Sequence, residues 1–243
     1  MNQVTFIFVN RNGANLWDAI HNVQSLYSDY TQDIIVVEQA DELPFLRGQL
    51  FNIGVRYATG EYIALSDNDM FHLNKVPWID IYDKVRCPLI GFKYISQVTL
   101  NNGRPTITSI NECPTGFGGF NFMKKTDFIA FNGFSNLFVG WGFEDNAYSK
   151  RFKYVRIPNN LGHITHPIRN YIYSKNREYN MHLLNTVNER NSMLDGYHQT
   201  RYNIVSANTV NCNVRVIKVN HITVCDNFKY IDELNHHYNL LTP

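Results

Sequence analysis

A short apolar run that stops abruptly at two carboxylates constrains the fold of this chain more than any other stretch. The run is Tyr62–Leu65, and Ser66-Asp67-Asn68-Asp69 follows it directly. Four apolar residues between polar flanks are typical of a buried strand, and in an open α/β sheet ligands bind outside the carboxyl ends of the strands. The two carboxylates therefore predict a site that binds a divalent metal and a sugar or ribose hydroxyl. The alternative is a turn in which the Asp and Asn side chains bond their own backbone.

Strand and helix patterns alternate in the residues that precede this stretch. Strands are predicted over Val4–Val9 and Ile34–Val37, and helices over 16–27 and 45–58. The resulting β-α-β-α-β order predicts right-handed crossovers and a mostly parallel sheet. Nucleotides commonly bind such a unit. However, no G-x-G-x-x-G or P-loop lysine follows the first strand, which argues against a Rossmann dehydrogenase or a P-loop NTPase.

Composition narrows the class of protein further. The 243 residues are 44% hydrophobic, which is enough for a large core, and 22 basic against 21 acidic residues leave no basic surplus for nucleic acid. The N-terminal apolar run is shorter than the roughly 20 residues of a membrane span and lacks a basic flank, so we expect a soluble, cytoplasmic protein. The four cysteines have no C-x-x-C spacing, which predicts reduced thiols and neither a zinc ribbon nor a redox motif.

A tryptophan between two glycines marks the second half of the chain. Gly140-Trp141-Gly142 is followed after one residue by Glu144-Asp145, at the start of a helical pattern. Glycines on both sides of an indole indicate a mobile loop that presents an aromatic platform to a carbohydrate, next to a carboxylate. The alternative is that the two acids only stabilise a helix N-terminus.

Two histidines three residues apart, His163 and His166, offer a second set of metal ligands. With Asp69 they would supply one carboxylate and two neutral imidazoles, leaving open positions for diphosphate oxygens. The alternative is a pair of exposed or core imidazoles.

The remaining elements are predicted from shorter patterns. We expect strands at 120–123, 155–158, 202–205 and 214–224, and helices at 124–131 and 228–241. Between residues 169 and 193 the sequence is polar and compatible with a helix. Its predicted buried stripe consists of Met181, Leu184 and Val187.

At this point the sequence resembles the catalytic domain of the β-1,4-galactosyltransferases and their relatives that transfer N-acetylgalactosamine. The resemblance runs collinearly from Val4 to about Val219. Its most specific part is residues 116–151, which resemble the family's F-G-G, N-G-F-x-N and G-W-G-x-E-D blocks in order and spacing. The resemblance implies an α/β, GT-A-like fold in which a mostly parallel twisted sheet is flanked by helices.

The resemblance also implies which residues bind the sugar nucleotide and the metal. Arg11 retains the first arginine of the family's first-strand turn, and the F-x-R-x-x-L helix matches Phe45–Leu50, with its arginine at Arg47. The family's D-V-D becomes Asp67-Asn68-Asp69, with Asp69 as metal ligand, and its Met-x-x-His pair becomes His163 and His166. The residues implied in nucleotide-sugar binding are Arg11, Phe45, Arg47, Asp67, Gly118 and Gly119.

The tryptophan loop carries the implied catalytic residues. By resemblance Trp141 and Gly142 contact the sugars, Glu144 binds sugar hydroxyls, and Asp145 is the base. Gly116 stands where a bulky side chain crowds the donor's second carbon in the galactosyl enzymes, so its small size implies tolerance of N-acetylated donors.

The expected function is therefore a metal-dependent inverting glycosyltransferase that moves galactose or N-acetylgalactosamine from a UDP-sugar to a glycan hydroxyl, with manganese, or magnesium in its place. Two alternatives stay open: a retaining polypeptide-type N-acetylgalactosaminyltransferase and a non-catalytic module that binds sugar nucleotides. We expect one domain over residues 1–243, with a nucleotide-binding part (1–75), an acceptor and catalytic part (76–225) and a C-terminal helix (226–243). The absence of an anchor in the sequence suggests a bacterial or viral cytoplasmic enzyme that acts on a glycoconjugate and does not bind nucleic acid.

Overall fold

The computed structural model describes residues 3–11, 13, 15–92, 94–102, 104–112, 118–140, 142–157, 161–164, 175–186 and 195–223. Within these residues there are twelve strands and six α-helices. The strands are β1 Gln3–Asn10, β2 Thr31–Gln39, β3 Tyr62–Asp67, β4 Met70–His72, β5 Leu89–Phe92, β6 Tyr94–Asn101, β7 Arg104–Glu112, β8 Phe120–Lys124, β9 Val155–Ile157, β10 Leu161–Ile164, β11 Arg201–Asn211 and β12 Val214–Thr223. The helices are α1 Leu16–Leu26, α2 Arg47–Tyr57, α3 Trp78–Val85, α4 Lys125–Ala130, α5 Glu144–Ser149 and α6 Lys175–Thr186.

A central sheet organises these elements. Its strand order is β11-β12-β2-β1-β3-β8-β5-β9 over the described residues, and the pairs β12-β2, β2-β1, β1-β3 and β5-β9 are parallel. The predicted α/β class with a mostly parallel sheet is thus confirmed. Because β1, β2 and β3 run in the same direction, the ends of all three strands meet at one edge of the sheet.

The centre of the sheet is apolar on both faces. In β1, Phe6, Ile7 and Phe8 are fully buried, and Ile63–Leu65 in β3 are fully buried as well. Near-continuous apolar runs of this kind are expected where helices cover both faces of a parallel sheet. In β3 the polar residues Ser66 and Asp67 therefore come last, and Asp67 begins the Asp-Asn-Asp turn.

A smaller sheet, in the order β4-β10-β6-β7, lies directly after this turn in the chain. His72 ends β4 and is fully buried, with its Nδ1 atom 2.7 Å from the Tyr27 hydroxyl. That hydroxyl also accepts a 2.8 Å hydrogen bond from the Trp78 indole. Burial lowers the pKa of His72 to about 3, so the imidazole stays neutral and packs as an aromatic ring against Trp78 and Phe120.

Two of the predicted elements need correction. The helix predicted from residue 45 begins at Arg47, because the Gln39 side chain bonds the backbone of Leu43, Pro44 and Leu46 and holds that loop out of the helix. The stripe predicted for α6 is wrong at Met181, which is 49% exposed while Leu183 is buried in its place, whereas Leu184 packs partly buried against the same apolar cluster. The helix predicted over 228–241 and Val187 lie outside the described residues.

The division of the chain near residues 75 and 225 stays a prediction. Strands from both predicted parts share the central sheet, since β3 pairs with β8.

No helix in the described ranges is long and apolar enough to cross a membrane.

Candidate active site

Arg47 lies at the centre of the candidate site, in the first turn of α2. Its guanidinium group bonds both carboxylate oxygens of Asp67, at 2.6 Å from Nε and 3.2 Å from Nη2. The guanidinium carbon of Arg47 lies 4.9 Å from the centre of the Phe51 ring, and the Arg47 side chain is only 11% exposed. A bidentate, largely buried pair of this kind fixes both partners. The start of α2 and the end of β3 are therefore held in one position.

Glu144, the first residue of α5, is the second carboxylate that contacts Arg47. Its Oε1 atom lies 3.4 Å from Nη1, and the residue is 9% exposed. Burial raises the pKa of Glu144 to about 7, against the lowering effect of Arg47 and together with the repulsion from Asp145. The buried Oε2 atom has no hydrogen-bond partner among the described residues. A carboxyl oxygen left open in a buried site is available to a hydroxyl group of a ligand.

Asp145 follows Glu144 and faces the glycine turn before β8. A Cβ atom built on Gly118 would lie 2.8 Å from Asp145 Oδ2 and 3.7 Å from Arg47 Nη2. Next to it, Gly119 has φ of 88° and its carbonyl accepts a 2.8 Å hydrogen bond from the Asp67 amide. Only a residue without a side chain lets the turn approach the carboxylate this closely. The structure thus brings Arg47, Asp67, Gly118, Glu144 and Asp145 together, as the sequence predicts.

Arg11 and Phe45 form an adjacent part of the site, at the ends of β1 and of the loop before α2. The Arg11 guanidinium carbon lies 5.7 Å from the centre of the Phe45 ring, and the Arg11 side chain bonds the Leu43 carbonyl. Beside them a cleft of about 320 Å³ is lined by Arg11, Glu38, Gln39, Ala40, Asp41, Glu42 and Lys218. The cleft lies at the carboxyl ends of β1 and β2, where the fold is expected to bind a nucleotide.

The predicted metal ligands are described only in part. Asp69 follows β3 in the turn, and β4 pairs with β10 so that Met70 stands opposite His163. The backbone of His163 therefore lies across from the residue next to Asp69. The side chain of His163 and all of His166 lie outside the described residues, and no cluster of three metal-binding side chains occurs among those that are described. By residue type, one carboxylate with two imidazoles is a donor set that suits manganese or a similar divalent cation.

The structure describes the residues before and after Trp141 in its loop. Gly140, Gly142 and Phe143 have φ of 72°, 103° and 70°, so the chain turns sharply just before α5 begins. The Gly140 amide donates a 3.1 Å hydrogen bond to the Phe45 carbonyl, which ties this loop to the nucleotide side of the site. Trp141 and Gly116 lie outside the described residues, so their predicted contacts with sugars stay predictions.

Sequence reasoning missed the polar side chains that hold these loops. Asn180 in α6 is fully buried and bonds the backbone of Val139 and Gly142. Asn52 in α2 is also fully buried and bonds the backbone of Phe134 in both directions. The available signal was the N-G-F-x-N block itself, since Asn136 accepts from both Asn52 and Thr200.

A neighbouring carboxylate completes this support. The Asp195 carboxylate accepts hydrogen bonds from the Asn136 amide, at 2.8 Å, and from the Ser135 hydroxyl. Arg151 bonds the carbonyls of Asn132, Gly133 and Asp195. The segment from Asn132 to Phe138, which leads into the tryptophan loop, is therefore fixed by side chains rather than by regular secondary structure.

Comparison with known proteins agrees with this geometry. Residues 103–170 match the family described as the N-terminal domain of galactosyltransferase. β-1,4-Galactosyltransferase 7 of Drosophila melanogaster is 26% identical over 149 residues, which are 58% of this chain and 42% of that protein. The chain thus spans less than half the length of this curated relative.

Solved structures extend the similarity of fold over nearly the whole chain. A mutant of Drosophila β-1,4-galactosyltransferase 7, in complex with manganese, UDP-Gal and xylobiose, superposes with a TM-score of 0.69 at 18% identity and covers 93% of this chain and 96% of that chain. GalNAc-T7 with UDP, GalNAc and Mn2+ superposes at 0.56 and 14% identity, over 75% of this chain and 47% of that chain. The chain therefore matches the galactosyltransferase family model over residues 103–170, is similar in sequence to β-1,4-galactosyltransferases over about half of its length, and has the GT-A fold of glycosyltransferases.

Proposed function

We propose that this chain is a metal-dependent, inverting glycosyltransferase that moves galactose or N-acetylgalactosamine from a UDP-sugar to a glycan hydroxyl. The observation that carries the proposal is the convergence of Asp67, Glu144 and Asp145 on Arg47, beside the glycine turn at 118–119. The similarity to named galactosyltransferases supports the same reaction class.

In this proposal the nucleotide lies in the cleft beside Arg11 and Phe45. An arginine stacked on an aromatic ring provides a positive charge next to a flat apolar surface, which suits a base and its phosphates. The glycine turn at 118–119, whose Gly118 lies against Asp145 and near Arg47, is proposed to contact the sugar of the donor.

Asp69, His163 and His166 would hold the metal. When bound, a divalent cation neutralises the charge that grows on the departing diphosphate. The relative with the same fold was solved with manganese, and this metal is our first candidate for the present chain.

Asp145 takes the proton from the acceptor hydroxyl in the proposed reaction. Asp145 lies in the first turn of α5, next to Gly118. Its side chain is half-buried, so in this proposal an acceptor reaches it from solvent. The acceptor oxygen then forms a bond to the anomeric carbon while the bond to the diphosphate breaks on the opposite face, so the product is a β-glycoside. A positioned base of this kind contributes roughly 10²–10⁴-fold to the rate.

Glu144 has a different role, because its open Oε2 atom and its contact with Arg47 suit it to hold a sugar hydroxyl. Trp141 and Gly142 are proposed to contact the sugars from the loop. Gly116 is proposed to leave space for an N-acetyl group on the donor, which is why both donors are retained.

The first test is the release of UDP from UDP-Gal, UDP-GalNAc, UDP-Glc and UDP-GlcNAc, with manganese, with magnesium and with EDTA. We expect UDP-Gal or UDP-GalNAc to react fastest, and only when a metal is present. Asp145→Asn is expected to lower kcat by about 10³-fold, whereas Asp80→Asn, on the exposed surface of α3, serves as the matched control and keeps wild-type turnover.

The stereochemistry of the product separates inversion from retention. NMR of the first anomer formed is expected to show a β-linkage. An α-linkage would instead support a retaining enzyme of the polypeptide type, whose fold is also similar. UDP-sugar binding without turnover for any acceptor would support a non-catalytic module.

A further inference from the structure

We infer that Asn180 is a positioning residue for the proposed reaction. Its side-chain amide fixes the tryptophan loop and thereby the placement of Glu144 and Asp145. The inference rests on the proposed function, and it adds a residue outside the family blocks to the machinery of the site.

One amide group makes three hydrogen bonds to the loop. The Asn180 Nδ2 atom donates to the carbonyls of Val139 and Gly142, both at 3.0 Å, and its Oδ1 atom accepts from the Val139 amide at 3.3 Å. The Asn180 side chain is fully buried. It therefore closes the loop from both ends, with the position of the tryptophan between them.

Other residues of α6 contact the loop and α5 through their side chains. Arg177 lies one turn earlier and stacks 5.2 Å over the Phe143 ring. Leu183 is buried in a small apolar cluster with Leu137, Phe138 and Ala147. These contacts hold the helix against the loop and α5, and Asn180 adds three hydrogen bonds to the loop backbone.

Phe143 connects the loop to the two carboxylates, Glu144 and Asp145, at the start of α5. It is the residue directly before α5, and its φ of 70° is in the left-handed region that side chains rarely adopt. A loop released at Val139 and Gly142 would let this turn relax. The first turn of α5 would then move relative to Arg47 and to the glycine turn.

The chemistry requires both the donor and the acceptor of the amide. Aspartate has nearly the same shape as asparagine but cannot donate when ionised, and it would place a negative charge against two carbonyl oxygens. Asn180→Asp therefore removes the two hydrogen bonds that Asn180 donates to the loop, with little change of volume. Misplacement of reacting groups by about 1 Å can cost roughly 100-fold in rate.

The experiment compares Asn180→Asp with two controls. Met181→Ala alters the next residue of the same helix, which is 49% exposed. Thr5→Val removes a fully buried hydroxyl that accepts from Gly60 at 2.9 Å and from Thr59 at 3.2 Å, at the opposite end of the sheet. The second control thus lowers stability through lost buried hydrogen bonds without touching the loop.

Turnover and UDP binding are measured below the unfolding temperature of each variant. We expect Asn180→Asp to lower kcat about 100-fold while the Kd for UDP changes less than about threefold, because no described residue of the loop lines the nucleotide cleft. Thr5→Val is expected to lower Tm but to keep kcat. Equal kcat losses in both variants, or wild-type kcat in Asn180→Asp, would overturn the inference.

Amide hydrogen exchange of the loop provides a readout independent of turnover. Exchange between Val139 and Phe143 is expected to accelerate in Asn180→Asp and to stay unchanged in both controls. If the wild-type protein transfers no sugar but this pattern is seen, the fastening stands and the proposed function fails. Unchanged exchange means that Asn180 does not hold the loop. Should Asn180→Asp not fold, Asn180→Ser, which keeps one donor, is measured in the same way, with an intermediate effect expected.

Discussion

The two faces of α2 contact neighbours of different kinds. On one face, Gly54 packs so closely on the sheet that an added Cβ would lie 2.4 Å from Ile7 and 3.2 Å from Val37. On the other face, Gln49 and Asn52 donate hydrogen bonds to the carbonyls of Asn136 and Phe134, at 2.7 Å and 2.8 Å. The sheet side of the site is thus built by apolar packing, and the loop side by buried amides.

This difference teaches where the precision of the site originates. Apolar side chains of the sheet and of α2 interlock in a close-packed interface, and this packing fixes the position of the strands relative to the helix. The described residues between Asn132 and α5 form no regular secondary structure, so their backbone groups need individual partners. Side-chain amides provide them, since each carries both donors and an acceptor.

The largest effect is expected on the loop side. Asn52→Ala removes hydrogen bonds to Phe134, Asn136 and Thr200 and leaves buried groups unpaired, which we expect to lower the free energy of unfolding by about 3 kcal/mol. Denaturant unfolding measures the change. Asn203→Ala, on the exposed strand β11, is the control and should stay within about 0.5 kcal/mol of wild type. A loss below 1 kcal/mol in Asn52→Ala would contradict the view that amides build this side.

A second prediction concerns pH and sharpens the comparison through Glu144. The pKa of this carboxyl is raised to about 7 by burial, so between about pH 4.5 and 7 the native state binds a proton that the unfolded state has released. The contribution of Glu144 to stability therefore falls as pH rises through this window. Relative to Glu144→Gln, the wild-type protein should lose about 2 kcal/mol of unfolding free energy between pH 5 and pH 8.

The measurement is a pair of denaturant titrations at several pH values. His72 acts in the opposite direction, because burial lowers its pKa to about 3 and the neutral native form loses stability as pH falls below about 6.5. That effect is present in both proteins and cancels in their difference. Parallel stability curves for wild type and Glu144→Gln would show that Glu144 titrates as an ordinary carboxyl.

The smallest of the three effects is expected on the sheet side. Gly54→Ala forces a methyl group against Ile7 and Val37. The better helix propensity of alanine offsets part of the strain, so we expect a net loss of about 1 kcal/mol. Thermal unfolding checks the value, and Gly54→Ala combined with Ile7→Val should recover part of the loss. A stabilised single variant would show that the contact can relax freely.

The sheet side of the site could largely be predicted from the sequence. Val4–Val9 and Ile34–Val37 are apolar runs whose strands follow from their pattern alone, and the Asp-Asn-Asp turn follows from where such a run stops. The convergence of Glu144 with Arg47 required the resemblance of the G-W-G-x-E-D block, because the two residues are 97 positions apart in the chain.

The loop side could not be predicted from the pattern. Gln49 and Asn52 are polar residues in a helix, and polarity at a helical position ordinarily indicates a solvent-facing surface. The same holds for Asn180, whose neighbour Met181 was expected inside and is exposed. Their burial depends on backbone groups of a distant irregular segment, and such groups leave no trace in hydrophobic periodicity.

The close approach of Gly118 to Asp145 offers a way to move the proposed base without removing it. A methyl group at position 118 would meet the carboxylate at 2.8 Å, and the flexible end of the aspartate would have to swing aside. The carboxylate itself would be retained while its position in the pocket changed. The turn at 118–119 is thus a place from which the proposed reaction can be altered in graded steps.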